Sequence, residues 1–321
     1  MKNILNGYKE FVSKFNMVGS NVLFMDKDGY TENVCTGYSD IESNKETDTH
    51  GIYRIASISK VIVAIGLLKL YDKGLVDLDE DISKYLGFKV MNPKYPNDLI
   101  TIRMVMTQTS SITDDGAFID GMYKGYDGSN SCDDYITLED LLTPGSDRFY
   151  KGYSDYKPGS TFIYSNLGCG ILACVIERIT GKYFPEYIKE ELLHPLGIYS
   201  GFRLEDIKDI ENLVTHYRFE NGKFIKHRYY ETFKKVQCLK YPIGQNYRGV
   251  AGGLYISAQN LSKIMKMLMN KGLYENIRIL KEETVKEMEA VQWELKEGDV
   301  ITDPTYHKKG LQMIIMDNFT K

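Results

Sequence analysis

The stretch that most constrains this chain is the run Val61-Ile62-Val63-Ala64-Ile65-Gly66-Leu67-Leu68-Lys69-Leu70-Tyr71, headed by Ala56-Ser57-Ile58-Ser59-Lys60. Apart from Lys60, Gly66 and Lys69 it is apolar on every side, which predicts a helix buried in a core rather than one lying on a surface. Asp72-Lys73-Gly74 supplies the stop, with Gly74 where a left-handed residue is wanted. With the helix starting near Ser57, Ser57 and Lys60 lie one turn apart on the same face. A hydroxyl and an amine side by side in a dry site can form a nucleophile and its base. The same letters also describe an N-cap serine followed by a snorkelling lysine, and Ser-x-x-Lys is common by chance. The rest of the chain must decide.

The chain has 321 residues, enough for one or two domains with a sizeable core. Its formal net charge of −4 gives no global field to recruit nucleic acid or an anionic membrane. No run approaches the length of a membrane span, and the first ten residues lack the apolar stretch of a secretory signal. The chain therefore reads as cytoplasmic as written, or as extracytoplasmic if a leader has been removed. Five cysteines (Cys35, Cys132, Cys169, Cys174, Cys238) form no Cys-x-x-Cys pair and read as free, mostly buried thiols in a reducing compartment. The histidines are scattered, with no metal-ligand spacing, so neither a metal nor another cofactor is expected. Gly249, Gly252 and Gly253 lack the Gly-Lys-Ser/Thr of a phosphate loop.

In chain order, residues 1–16 carry an amphipathic helical spacing. Residues 20–25 and 32–36 read as a hairpin turning at Lys27-Asp28-Gly29, and residues 52–55 as a short strand feeding Ser57. Short helices follow at Ile82–Leu86 and around Ile100–Met106, and a polar insertion at 113–135 has the character of a pocket rim. Lys157-Pro158-Gly159-Ser160 turns the chain into Phe162-Ile163-Tyr164-Ser165-Asn166. An apolar helix then runs from Leu167 to Thr180, and a further helix from Pro185 through Leu193 to a break at His194-Pro195-Leu196-Gly197-Ile198. Residues 214–240 suggest strand-turn-strand about Asn221-Gly222, helices are expected at 257–270 and 281–291, and Gly310–Met316 reads as an apolar strand.

Three separated stretches resemble one family. Ser57-Ile58-Ser59-Lys60 resembles the Ser-x-x-Lys box of the serine β-lactamases and penicillin-binding proteins. Tyr164-Ser165-Asn166 resembles the Tyr-x-Asn box of the class C β-lactamases and their esterase and DD-peptidase relatives. Pro158–Phe162, Ile179–Lys182, His194–Ile198 and Ala251–Tyr255 are similar to further landmarks, in the family's order from about Gly19 onward. Two departures stand out. Gln108-Thr109-Ser110-Ser111 replaces the family's His-Thr-Ser-Gly, and the third box (His-x-Gly or Lys-Thr-Gly) has no convincing match. His307-Lys308-Lys309-Gly310 is the nearest text, and its position fits the strand before that box, so the strand carrying the box is expected to be missing from this chain.

The resemblance implies an α/β (α+β) fold: an antiparallel sheet flanked by helices, formed by residues 1–75 and 250–321, with a mainly helical region, 76–249, carrying the Tyr-x-Asn box. It implies catalytic roles for Ser57 as nucleophile, for Lys60 and Tyr164 as proton carriers with the acylation base left open between them, and for Asn166 as a substrate-binding amide facing either substrate or Lys60. The Ser57 N–H would supply half an oxyanion hole. The implied function is a serine hydrolase of the β-lactamase/D-alanyl-D-alanine carboxypeptidase type, acting on a small-molecule or peptide amide or ester. The alternative is a penicillin-binding or sensing protein with little or no turnover. The sequence sets no oligomeric state. Gln108 and Ser110 read as structural, the basic aromatic segment 223–230 with Lys234-Lys235 as a solvated sheet face, and Asp114-Asp115 and Asp133-Asp134 as solvated loop carboxylates.

Overall fold

The computed structural model describes residues 7–8, 10–12, 14–26, 31–118, 136–227, 241–300, 302–303 and 305–316. Strands β1 (Gly19–Met25), β2 (Thr31–Asp40) and β3 (Lys45–Glu46) form an antiparallel sheet in the order β1-β2-β3, with Val22 opposite Val34 and Met25 opposite Thr31. The hairpin expected from the sequence is therefore present; its Lys27–Gly29 turn lies outside the described residues. Residues 7–8, 10–12 and 14 are helical, within the amphipathic stretch, yet Phe11 and Phe15 are exposed while Val12 is buried.

The chain then enters β4 (Ile52–Arg54) and, after one 3₁₀ turn at Ala56–Ile58, helix α1 (Ser59–Asp72). Every α1 residue from Ile62 to Leu68 is buried. Helices α2 (Ile82–Leu86) and α3 (Ile102–Thr107) follow, capped by the side chains of Asp81 and Thr101, then α4 (Asp115–Phe118), α5 (Leu138–Leu142) and α6 (Asp147–Lys151). Helix α7 (Asn166–Thr180) begins at the Ser165 cap and ends at Gly181, which takes the left-handed conformation (φ +69°). Helices α1, α2 and α3 all pack on α7, and one hydrophobic cluster runs from Ile62 through α7 to Leu311.

After α8 (Phe184–Ile188), helical turning continues through Lys189–Leu193 and His194–Leu196, and Gly197 at φ +64° ends it. The stop falls within the expected breaker His194–Ile198, at Gly197 rather than at Pro195. Proline is tolerated in the first turn of the new 3₁₀ segment, and the left-handed glycine makes the stop. Strands β5 (Tyr217–Glu220) and β6 (Lys223–Lys226) turn at Asn221-Gly222, both at positive φ, as expected. Residues 228–240 of that prediction lie outside the described residues. Strand β7 (Tyr255–Ser257) pairs antiparallel with β4, and α9 (Ala258–Met269) packs on β1. Strands β8 (Leu273–Tyr274) and β9 (Ile277–Arg278), helix α10 (Glu282–Glu289), and the pair β10 (Trp293–Glu294) and β11 (Lys308–Lys309) complete the described chain.

The expected strand at 310–316 is interrupted: a turn at 310–313 brings Ile314 back to bridge Lys309, and Ile315 N–H donates to Lys308 O at 3.0 Å. Gly310 N–H reaches Met313 O at 3.0 Å, Gln312 adopts φ +56°, and Gln312 N–H donates to Met106 O at 2.9 Å while Leu311 is fully buried. Apolar content alone read as a strand; burial of one side chain in a tight turn has the same composition. Apart from that, the paired strands are antiparallel and the helices dominate, in keeping with the α+β expectation.

Two helical glycines mark where elements approach most closely. A Cβ on Gly66 would meet the terminal Cδ1 of Ile188 at 2.5 Å, whereas one on Gly170 would meet the backbone oxygen of Tyr247 at 2.2 Å. Alanine in a helix gains about 1 kcal/mol over glycine. A side-chain methyl can rotate away, so Gly66→Ala should change stability by no more than about 1 kcal/mol. The Tyr247 backbone cannot, so Gly170→Ala should cost about 2 kcal/mol or more. Urea unfolding of the two variants checks the ranking.

Candidate active site

Strand β4 aims the chain at the site. Its continuation is fixed by Ile55 N–H donating to Leu254 O at 3.0 Å, just beyond the β7 pairing. Two residues later the chain is helical, and Ala56 makes the change of direction with φ +45°. A left-handed alanine costs roughly 1–2 kcal/mol. Ser59 holds it in place: its hydroxyl donates to Ala56 O at 2.6 Å and accepts from Leu254 N–H at 3.1 Å. Ser57 therefore stands exposed at the head of a helix whose body is buried.

Lys60, one turn on, is 3% exposed. Its Nζ lies 3.0 Å from Ser57 Oγ, 2.7 Å from Tyr164 Oη, 2.8 Å from Asn166 Oδ1 and 3.1 Å from Ala251 O. Ser57 Oγ and Tyr164 Oη are 2.5 Å apart. All four sequence-predicted site residues thus come together around one nitrogen. An ammonium has three protons for these four oxygens, so one contact must be shared.

Gln108, structural in its sequence context, brackets Tyr164. Gln108, itself at φ +61°, accepts Ile163 N–H at its carbonyl (2.8 Å) and Ser165 N–H at its side-chain oxygen (3.3 Å), and its amide donates to Gln312 Oε1 at 3.1 Å. The 310–313 turn is therefore braced against the Tyr164 segment.

Asp114 requires a correction. Read from sequence as a solvated loop carboxylate, it accepts from Ser165 Oγ (3.0 Å), Asn166 Nδ2 (2.9 Å) and Leu167 N–H (2.8 Å) at the start of α7. Asn166 is thereby used at both ends, with its oxygen on Lys60 and its NH₂ on Asp114. The reversed amide would set donor against donor and acceptor against acceptor. Of the two orientations the sequence left open, the amide faces Lys60. No sequence signal separates Asp114 from the exposed Asp115 beside it.

One wall is aromatic. Phe162 and Tyr306 stack at 4.6 Å, Tyr164 lies 6.3 Å from Tyr306, and Trp293 donates to Ser160 O at 3.1 Å. Lys309, from the stretch His307–Gly310, places Nζ 5.5 Å from the Phe162 ring and 5.2 Å from the Tyr306 ring, at 4% exposure. Burial, and secondarily the charge of Lys60, push its pKa down to about 8. Its neighbour Lys308 instead pairs with Glu294 at 3.0 Å.

Cys169 and Cys174 are buried in α7, and burial raises the Cys169 thiol to about 12, which leaves it protonated and inert. Cys132, Cys238 and Asp133-Asp134 lie outside the described residues. Strand β6, in the basic aromatic segment, is exposed along its length. Among the described residues no cluster of three or more His, Cys, Asp or Glu is placed to hold a metal ion, and no helix is long and apolar enough to cross a membrane.

A family model described as Beta-lactamase matches residues 9–300. Protein flp of Staphylococcus aureus (strain MRSA252) is 27% identical over 204 residues, covering 63% of this chain and 38% of that protein. The chain spans little more than a third of the length of the curated relatives it matches. The octameric penicillin-binding protein homologue from Pyrococcus abyssi superposes with a TM-score of 0.72 at 23% identity, covering 99% of this chain and 65% of that one. D-amino acid amidase from Ochrobactrum anthropi SV3 superposes with a TM-score of 0.68 at 19% identity, covering 98% and 81%. These likenesses establish the fold, with mixed helices and antiparallel sheets and, among the described residues, no closed barrel.

Lys309 yields a pH prediction. Its proton leaves the folded protein near pH 8 but the unfolded chain near 10.5. The penalty for burying the ammonium is therefore full below pH 8 and fades as pH rises to 10.5, so this residue makes stability increase across that window. Lys309→Met should stabilise the protein at pH 7 by on the order of 3 kcal/mol and flatten the pH 8–10.5 dependence. Urea unfolding of both proteins at pH 7 and pH 10 measures it.

Proposed function

The chain belongs to the β-lactamase family, and on that premise we propose that it is a serine hydrolase that forms an acyl-enzyme on Ser57 from a small-molecule or peptide amide or ester. The observation that carries the reading is the placement of Ser57 Oγ 2.5 Å from Tyr164 Oη and 3.0 Å from Lys60 Nζ, by two stretches more than a hundred residues apart. Neither a capping serine nor a snorkelling lysine needs that convergence.

As Ser57 Oγ bonds to the substrate carbonyl carbon, its proton passes to the Tyr164–Lys60 pair. The carbonyl oxygen becomes an oxyanion, for which the Ser57 N–H at the helix start is a donor. Collapse expels the amine or alcohol, which takes the proton from Tyr164, and leaves an ester on Ser57. Water, giving its proton to the same pair, then attacks the ester; the acid departs and Ser57 Oγ takes that proton back. Lys60 holds Tyr164 and Ser57 in register, and Asn166 Oδ1 and Ala251 O hold Lys60. The half-buried rings of Tyr164 and Tyr306, the latter backed by buried Phe162, suit an apolar side chain on the acyl component, and the D-amino acid amidase that shares the fold makes amino-acid amides the first substrates to try.

Labelling with a fluorophosphonate and a fluorescent penicillin, followed by mass spectrometry, tests the reading. The expected result is an adduct on Ser57 that Ser57→Ala abolishes. Tyr164→Phe and Lys60→Ala should each slow its formation by about 10²–10⁴-fold. A penicillin adduct that clears over time marks a hydrolase, and one that persists marks a penicillin-binding protein with little turnover. A folded sample labelled by neither reagent rejects the nucleophile assignment.

A further inference from the structure

Asp114 touches the proton-transfer cluster through Asn166 and also binds Ser165 and Leu167 on either side of it, and no sequence signal singles it out. We infer that Asp114 is a positioning residue: by gripping the NH₂ of Asn166 it fixes that amide with its oxygen toward Lys60, and so holds Lys60 against Ser57 and Tyr164. The inference rests on the reading of Ser57 as the nucleophile for its kinetic consequence, but its geometric content stands apart from it.

The chain of contacts is direct. Asp114 Oδ2 accepts from Asn166 Nδ2 at 2.9 Å, and Asn166 Oδ1 accepts from Lys60 Nζ at 2.8 Å. The other oxygen, Oδ1, takes Leu167 N–H at 2.8 Å and Ser165 Oγ at 3.0 Å, so the carboxylate cannot swing without losing the start of α7. The anion also lies at the positive end of that fifteen-residue helix, where negative charge is favoured. A carboxylate is required because all three neighbours donate. An asparagine at 114 could turn its oxygen to Asn166 or to Leu167, but its NH₂ would then face a donor at the other.

Removing the charge also alters the field at Lys60. The groups facing Lys60 are Ser57 and its own helix, Tyr164 and Asn166 at the start of α7, Ala251 O from the segment before β7, the thiol of Cys169 and the ammonium of Lys309. Cys169 is protonated at neutral pH and Lys309 is a like charge, so Asp114 supplies the negative charge that this set otherwise lacks.

The test compares Asp114→Asn with Asp115→Asn, which alters the exposed neighbouring carboxylate. Phosphonylation of Ser57 by a fluorophosphonate is followed from pH 5 to 10, melting temperature is recorded, and the Asn166 side-chain amide is observed by ¹⁵N NMR, assigned through Asn166→Asp. In Asp114→Asn the plateau rate should fall by about 10–100-fold. Its acid limb should move to lower pH, and the Asn166 amide protons should shift upfield and exchange faster. Asp115→Asn should match the parent in all three. A purely structural role would lower the melting temperature and leave the acid limb in place, and that outcome overturns the inference, as does an unchanged Asn166 amide. If Ser57 is not phosphonylated in the parent while the Asn166 amide still responds to Asp114→Asn, the nucleophile reading fails and the grip of Asp114 on Asn166 stands.

Discussion

The structure depends on where one ammonium group is placed. Lys60 is nearly excluded from water, and a buried charge is tolerated only when its protons are met by acceptors. The acceptors come from the head of its own helix, from the Tyr164–Asn166 segment and from Ala251. Satisfying that nitrogen therefore forces three distant parts of the chain to one point. Displacing the Tyr164–Asn166 segment, which supplies two of the four acceptors, would leave the buried ammonium short of a partner.

Each of these three parts is positioned by backbone that has little freedom. The β4–β7 pairing sets the height of Ala251 relative to Ser57, because Leu254 and Ser59 bind each other across it. The Ser165 cap and the Gln108 bracket set Tyr164. The left-handed alanine at 56 is strained, and it lies directly before Ser57. Strain of that kind persists only where surrounding contacts over-determine it, and here Ser59 and Leu254 do so.

Much of this was legible in the sequence, for identifiable reasons. The buried helix, its stop, the short capped helices and the Asn221-Gly222 hairpin follow from local periodicity and turn chemistry. Ser57 and Lys60 on one face follow from helical spacing. Their union with Tyr164 and Asn166 came from family resemblance, since no local rule pairs residues so far apart. What escaped was tertiary. Asp114 and Asp115 are the same letter in the same loop, and only the arrival of α7 gives one of them three donors. Gln108 could not be seen to bracket Tyr164, because two of its contacts use backbone and the sequence shows side chains. The 310–316 stretch had strand composition, but its conformation is set by Gln312 reaching Met106 and Gln108, which lie two hundred residues earlier.

The all-round burial of α1 has an evolutionary consequence. A helix with one solvent face can drift in sequence on that side while its active residues stay still. Residues Ile62–Leu68 offer no such side, so nearly every substitution behind Ser57 repacks the core and is transmitted to Ser57 and Lys60. Divergence in what such a protein acts on must then accumulate in the loops and the aromatic wall around the mouth. The centre and its rim are therefore set to change at very different rates.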